Sequence, residues 1–314
     1  MTEILPDFRL ARPATIKEAL GELAWPGAQI VAGGTDKVVQ MRRGLAAPSV
    51  LVDITGIDAL ARIEATGAGL TIGAGVTLER LATDPAVAPY PAVVEAARAV
   101  AGPSHRVVAT LGGNLCLDTR CHYYNQSEWW RKSNDFCLKY QGDTCHVAPK
   151  GKRCRAAFSG DMAPALMVHD AEIVLAGPDG ERRLPLDDFY VEDGAAHLAL
   201  APGEIVTAVR LPAPAPSAYA KLRLRGAIDF PLAGVAVALA GDRMRVAVTG
   251  TNSRPLLVAP PGPLTRDDEA WFAGLDKAVQ KAVTPQRTST CQPHARRLAV
   301  AALAVRLARD LVQT

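Results

Sequence analysis

Hydrophobic and polar positions over the first sixty residues of this chain switch between helical and strand spacing. Thr15 stands as a cap ahead of a helix over Ile16–Leu23. An apolar run at 29–32 breaks at Gly33-Gly34-Thr35-Asp36, a helical stretch follows over 37–43, and 49–53 reads as a short strand. The order is strand, glycine loop, helix, strand.

Farther on, 70–74 resumes the pattern, helices are predicted over 77–81 and from 90 to about 101, and Gly112-Gly113-Asn114 reads as a second glycine turn. Regular periodicity returns at 163–168 and at the strand-like 171–176. Closely spaced prolines at 211–217 oppose helix and interior strand alike, so a domain boundary is expected there. Strands are predicted over 218–224, 233–240 and 244–249. A closing helix over about 294–312 should present Leu298, Ala301, Ala302, Val305, Ala308 and Val312 on one face.

Composition narrows the class. At 314 residues the chain is long for one domain, and 49% hydrophobic with 21% charged residues is an ordinary globular balance. A formal charge of +3 is too weak to imply nucleic acid, and no apolar run is long enough to span a bilayer. With neither an apolar export segment nor a twin-arginine pattern near the N-terminus, a cytoplasmic location is expected.

The loop at 33–36 follows a strand and opens a helix, where glycines let the backbone approach a phosphate and helix amides supply donors. It is neither GxGxxG nor a P-loop. Alone it reads first as a tight turn; with Thr110-Leu111-Gly112-Gly113-Asn114 as a second such element, it suggests a cofactor gripped from two sides.

Five of the six cysteines fall between Cys116 and Cys154, in a stretch that also holds six of the sixteen aromatics, Tyr123, Tyr124, Trp129, Trp130, Phe136 and Tyr140. Disulfides, zinc and an iron–sulfur cluster are the alternatives. A reducing compartment places disulfides last. Cys121, Cys137, Cys145 and Cys154 are separated by fifteen, seven and eight residues, wider than zinc knuckles, and suit a loop wrapped around a larger object such as a four-cysteine cubane. Cys116 reads as a small packed residue, and His122 and His146 as neighbours of ligands rather than ligands. Arg131, Lys132, Lys139, Lys150, Lys152, Arg153 and Arg155 make the stretch basic, a solvated face that could also steer an acidic electron carrier.

The motifs IVAGGTDKVV, TIGAGVT, ATLGGNL, SGDMAPALMVHDAEIVL, EIVTAVRLP and YAKLRLR occur in the order found in flavin-binding subunits of the xanthine dehydrogenase family of molybdenum enzymes (molybdenum hydroxylases), which the chain resembles from about residue 5 to its C-terminal helix. The segment RCHYYNQSEWWRKSNDFCLKYQGDTCHVAPKGKRC resembles the insert of beta subunits in the 4-hydroxybenzoyl-CoA reductase branch.

That resemblance implies an α+β fold: a two-lobed FAD-binding domain of the vanillyl-alcohol oxidase and CO dehydrogenase flavoprotein type at 1–215, with lobes 1–58 and 59–215 and an insert at 117–157. A C-terminal α+β domain with a small antiparallel sheet and helices would occupy 216–314. It implies FAD held by Ile30, Val31, Ala32, Gly33, Gly34, Thr35, Asp36 and Lys37, by Ala109, Thr110, Gly112, Gly113 and Asn114, and by Asp161, with Lys221 near the isoalloxazine. It implies a [4Fe–4S] cluster on Cys121, Cys137, Cys145 and Cys154, and no side-chain acid or base. The implied oxidoreductase complex adds a molybdopterin-binding large subunit and a small subunit with two [2Fe–2S] clusters. Its implied reaction removes the hydroxyl of 4-hydroxybenzoyl-CoA in anaerobic aromatic degradation, with electrons from ferredoxin. Related aldehyde or purine enzymes, and a zinc-stabilised flavoprotein, are the alternatives. Two positions depart from the family pattern: Lys37, where an apolar residue is common, and His105-Arg106-Val107, where Ile-Arg-Asn is frequent.

Overall fold

A computed structural model describes residues 5–226, 228–264, 269–287 and 291–313. The first lobe runs β1 (Arg9–Ala11), α1 (Ile16–Leu23), β2 (Ala28–Val31), α2 (Lys37–Arg42) and β3 (Val50–Asp53). Its three strands are parallel in the order β1-β3-β2, which requires crossovers, and the helices supply them. Thr15 caps α1 as expected, its hydroxyl accepting the Glu18 N–H at 3.2 Å, while the Glu18 carboxylate takes the Ala14 N–H at 2.8 Å.

The second lobe begins with β4 (Ile63–Thr66) and β5 (Gly69–Gly73), then α3 (Leu78–Thr83), α4 (Pro91–Ala99), α5 (Pro103–Arg106) and α6 (Leu111–Leu115). The cysteine stretch follows and carries α7 (Glu128–Ser133). Regular structure resumes with α8 (Met162–Met167), β6 (Glu172–Gly177), β7 (Gly180–Pro185) and β8 (Ile205–Leu211), giving an antiparallel sheet ordered β4-β5-β8-β6-β7. Glu181, Arg182 and Arg183 charge the edge strand β7 and blunt its open hydrogen-bonding groups.

Residues 212–216 carry the chain to another antiparallel sheet, ordered β12-β11-β10-β9. Its strands are β9 (Ser217–Leu222), β10 (Ala233–Ala240), β11 (Arg243–Thr249) and β12 (Leu256–Val258), with α9 (Glu269–Ala282) and α10 (Pro293–Gln313) closing the chain. The apolar run of β10 is buried on both faces: Val235 and Val237 join the core of α9 and α10, while Ala236 and Ala238 join the core of α4 and α8. Helices on both sides explain why this strand shows no polar alternation.

Two expectations needed correction. The 112–114 segment is not a turn but lies within the short helix α6, which Thr110 caps by accepting the Gly113 N–H at 3.2 Å. On α10 the buried face is Arg296, Val300, Ala301, Ala304, Leu307 and Ala308, whereas Leu298 and Ala302 are exposed. The helix is rich in Ala, Leu and Val all round, so two apolar stripes competed. Arg296 decides between them, because its guanidinium donates inward to the carbonyls of Leu232, Gly250 and Gln286 at 2.6 Å each. No described helix is long and apolar enough to cross a membrane.

Candidate functional site

A cavity of about 680 Å³ opens between the first and second lobes, within the range of cofactor pockets. Its lining includes every residue expected to hold FAD on the two loops, Ile30 to Lys37 and Ala109, Thr110, Gly112, Gly113 and Asn114, together with Asp161. The first loop crosses so close to the second lobe that a Cβ at Gly33 would lie 2.0 Å from the Val108 carbonyl oxygen, and Gly34 has a φ of +68°. Only glycine meets both demands. The second loop is fixed from behind: Asn114 Oδ1 accepts the Met162 N–H at 3.0 Å, and the Tyr190 hydroxyl donates to the Leu115 carbonyl at 3.0 Å.

Lys221 does not line the cavity. It lies beneath it, with Nζ 3.1 Å from Asp161 Oδ1, and the Tyr219 hydroxyl donates to the same carboxylate at 2.6 Å. Burial pushes the Asp161 carboxyl above its usual range and pulls the Lys221 ammonium below its own, and each charge restrains the shift of the other. Although β9 is an edge strand, Lys221 is no surface charge: its side chain is 3% exposed.

Other cavity residues escaped sequence reasoning: His105, Cys116, Asp118, Arg120, Glu204 and the run Ile228, Asp229 and Phe230. Asp118 and Arg120 carry no motif of their own and lie between Cys116 and Cys121. Lys37, the departure from the family pattern, donates to Gln29 Oε1 at 2.9 Å; burial lowers its pKa, and Asp118 and Cys116 oppose that. Burial raises the Cys116 thiol to about 12, which keeps it protonated at the cavity wall.

The remaining four cysteines of the stretch gather elsewhere. Cys121, Cys137, Cys145 and Cys154 line one small second cavity with Tyr123, Tyr124, Leu138, Lys139, His146 and Val147. All four are free thiols. Among the described residues, no three His, Cys, Asp or Glu side chains form a site for a single metal ion. Burial pushes the Cys154 thiol up to about 11, partly offset by the Ala156 N–H, which donates to its sulfur at 3.3 Å. Cys121 is raised by burial too, with backbone N–H groups of Tyr123 and Tyr124 and the nearby thiols of Cys145 and Cys137 as lesser influences. Around Cys137 the backbone is tightly wound, with Asp135, Phe136 and Gln141 at φ of 55°, 56° and 58°. Such conformations in non-glycine residues cluster at ligand sites.

The stretch is closed at its base, where Arg120 and Ala157 exchange two backbone hydrogen bonds of 2.7 Å. The loop between β11 and β12 braces it, the Ser253 hydroxyl donating to the Cys154 carbonyl at 3.3 Å. The seven basic residues do not form one solvated face. Arg131 is 2% exposed and donates to the carbonyls of Arg43 and Gly44, Lys139 pairs with Asp118 at 2.6 Å, and Arg153 pairs with Glu192 at 2.9 Å. Backbone carbonyls and carboxylates of neighbouring segments hold these three cations, while Lys132, Lys150 and Lys152 are exposed. The aromatics divide likewise: Tyr123 and Tyr124 line the thiol cavity, while Trp129 is 74% exposed.

Over residues 6–214 the chain matches the family described as the FAD binding domain in molybdopterin dehydrogenase. It is 36% identical over 261 residues to the aldehyde oxidoreductase FAD-binding subunit PaoB of Escherichia coli (strain K12), covering 79% of this chain and 81% of that protein. To the carbon monoxide dehydrogenase medium chain of Afipia carboxidovorans it is 30% identical over 284 residues, covering 87% and 84%. A solved Cu,Mo-CO dehydrogenase in its cyanide-inactivated form shares the fold with a TM-score of 0.80 at 24% identity, over 99% of each chain. Quinoline 2-oxidoreductase from Pseudomonas putida 86 does so with a TM-score of 0.78 at 22% identity, over 99% of this chain and 98% of that one.

Proposed function

The chain belongs to the family of FAD-binding domains of molybdopterin dehydrogenases, as a subunit of an oxidoreductase, and from that premise we propose that it is an electron-transfer subunit carrying both FAD and a [4Fe–4S] cluster. One observation carries the two-cofactor reading. Arg120 lines the large cavity and the next residue, Cys121, lines the thiol cavity, so a single peptide unit joins the two sites.

The residues fit both groups. Gly33 lets the first loop close against the Val108 carbonyl where any Cβ would clash, and this close-packed glycine turn lines the cavity together with Thr35 and Asp36. Four free thiols lining one cavity, with the Ala156 N–H donating to the Cys154 sulfur, supply the four-cysteine donor set of a [4Fe–4S] cluster. When bound, FAD supplies exchange between one- and two-electron steps, and a [4Fe–4S] cluster supplies single electrons. The chain binds, orients and shields; Asp161 and Lys221 set the charge beneath the flavin cavity. We take 1–215 as the FAD-binding domain with its insert at 117–157, and 216–314 as the C-terminal domain, in a cytoplasmic complex.

As partners we propose a molybdopterin-binding large subunit, where substrate reacts, and a small subunit with [2Fe–2S] clusters, with ferredoxin as the external carrier. For the reaction of the whole complex, reductive dehydroxylation of 4-hydroxybenzoyl-CoA rests on the resemblance of the insert. Aldehyde oxidation is the second reading, favoured by the 36% identity to an aldehyde oxidoreductase subunit. Assays of the assembled complex with an aromatic aldehyde and with 4-hydroxybenzoyl-CoA separate them. For the subunit itself, anaerobic purification should yield one flavin, four irons and four acid-labile sulfides per chain. Stoichiometric zinc without sulfide would refute the cluster and leave a zinc-stabilised flavoprotein.

A further inference from the structure

Asp36 is the last residue of the first glycine loop and the N-cap position of α2, yet its carboxylate caps no backbone N–H. It accepts instead from Gln40 Nε2 at 2.5 Å and pairs with the guanidinium of Arg120. The placement is unfavourable on its own terms, because a loop shaped to receive an anion carries a fixed negative charge at its rim. The compensating cation does not come from the first lobe. It comes from the base of the cysteine stretch, one residue before a thiol of the second cavity.

Arg120 is well placed for this. Its backbone is locked by the paired hydrogen bonds to Ala157, its side chain is 11% exposed, and its guanidinium lies 5.9 Å from the Phe230 ring. Its Nε is buried without a partner, so the donor set is incomplete. We propose that Arg120 is a positioning residue that makes the flavin loop competent for an anionic cofactor by neutralising Asp36, and that folding of the cysteine stretch around its thiols holds it there. Loading of the thiol cavity and binding of FAD are then coupled, each strengthening the other by the same factor. This inference rests on the two-cofactor reading above and adds to it a reciprocal coupling between the two sites.

The test is a double-mutant cycle read by FAD titration, following flavin fluorescence, on the anaerobically purified chain after removal of its flavin. Arg120→Gln should weaken FAD binding roughly tenfold or more, the scale of one lost charge-assisted interaction. Adding Asp36→Asn to Arg120→Gln should restore most of that loss, which a merely structural role for Arg120 would not produce. Arg120→Lys keeps the charge without the fork and should fall between. In the wild type, removing iron with a chelator should weaken FAD binding to a similar extent, and in Arg120→Gln it should add little. Wild-type affinity in Arg120→Gln, or no recovery in the double variant, would overturn the proposal. If Arg120→Gln does not fold, Asp36→Asn alone still decides: its FAD affinity should become insensitive to iron removal, and retained sensitivity overturns the proposal. A wild-type chain that takes up no FAD in either state sinks the underlying reading instead, and the proposal with it.

Discussion

Lys221 and Asp161 form an ion pair with Nζ and Oδ1 3.1 Å apart and side chains 3% and 4% exposed, Asp161 at the floor of the large cavity and Lys221 beneath it. A pair this deep is costly to halve, because the surviving charge has no water to turn to. Lys221→Met should destabilise the fold by about 3–5 kcal/mol. Lys221→Met with Asp161→Asn should lose clearly less, since no stranded carboxylate remains. Denaturant unfolding of the three proteins checks this, and equal losses in the single and double variants would contradict it.

The two glycines at 33 and 21 should respond in opposite directions. Gly33→Ala places a Cβ against the Val108 carbonyl oxygen and should abolish tight FAD uptake. Gly21 lies inside α1 with nothing within 4 Å of an added Cβ, so Gly21→Ala should raise stability by about 0.5–1 kcal/mol. Flavin content and melting curves report both.

Cysteine-to-serine substitutions should sort the five clustered thiols into four and one. Cys121→Ser, Cys137→Ser, Cys145→Ser and Cys154→Ser should each sharply reduce iron and acid-labile sulfide. Cys116→Ser should keep both at wild-type levels, because Cys116 faces the other cavity. Metal and sulfide analysis of the series is sufficient, and iron loss in the Cys116 variant would count against this division.

Two buried histidines make the fold sensitive to acid. Burial lowers His169 and His197 to about 4 from an ordinary 6.5. Between those values the unfolded chain binds more protons than the folded one, so stability falls as pH falls through that window. From pH 8 to pH 5 each should cost about 2 kcal/mol. The double variant His169→Gln with His197→Gln should show a correspondingly flatter profile in denaturant melts at pH 8, 6 and 5.

Local chemistry made much of the fold legible. The Thr15 cap, the loop at Gly33 and Gly34 and the apolar run of β10 each depend on neighbours in sequence, and each lies where the pattern placed it. What stayed hidden depends on long-range partners. Arg131 reads as one more surface cation until its contacts with the carbonyls of Arg43 and Gly44 are known. Arg296 likewise turns α10 through carbonyls at Leu232 and Gly250, which no helical pattern can announce. At the site, the glycine loops carried a signal, whereas Arg120 and Phe230 are ordinary residues that the fold alone brings to the cavity.

The paired backbone hydrogen bonds between Arg120 and Ala157 also bear on how such a chain could arise. Residues paired in this way sit about 5.5 Å apart, a gap that a two-residue hairpin turn spans. Everything from Cys121 to Ala156 therefore leaves and rejoins the flavin scaffold at one point. The thiol-bearing stretch is a cassette with one covalent seam, and Arg131, Lys139 and Arg153 are the side chains that tie it back to the scaffold around it.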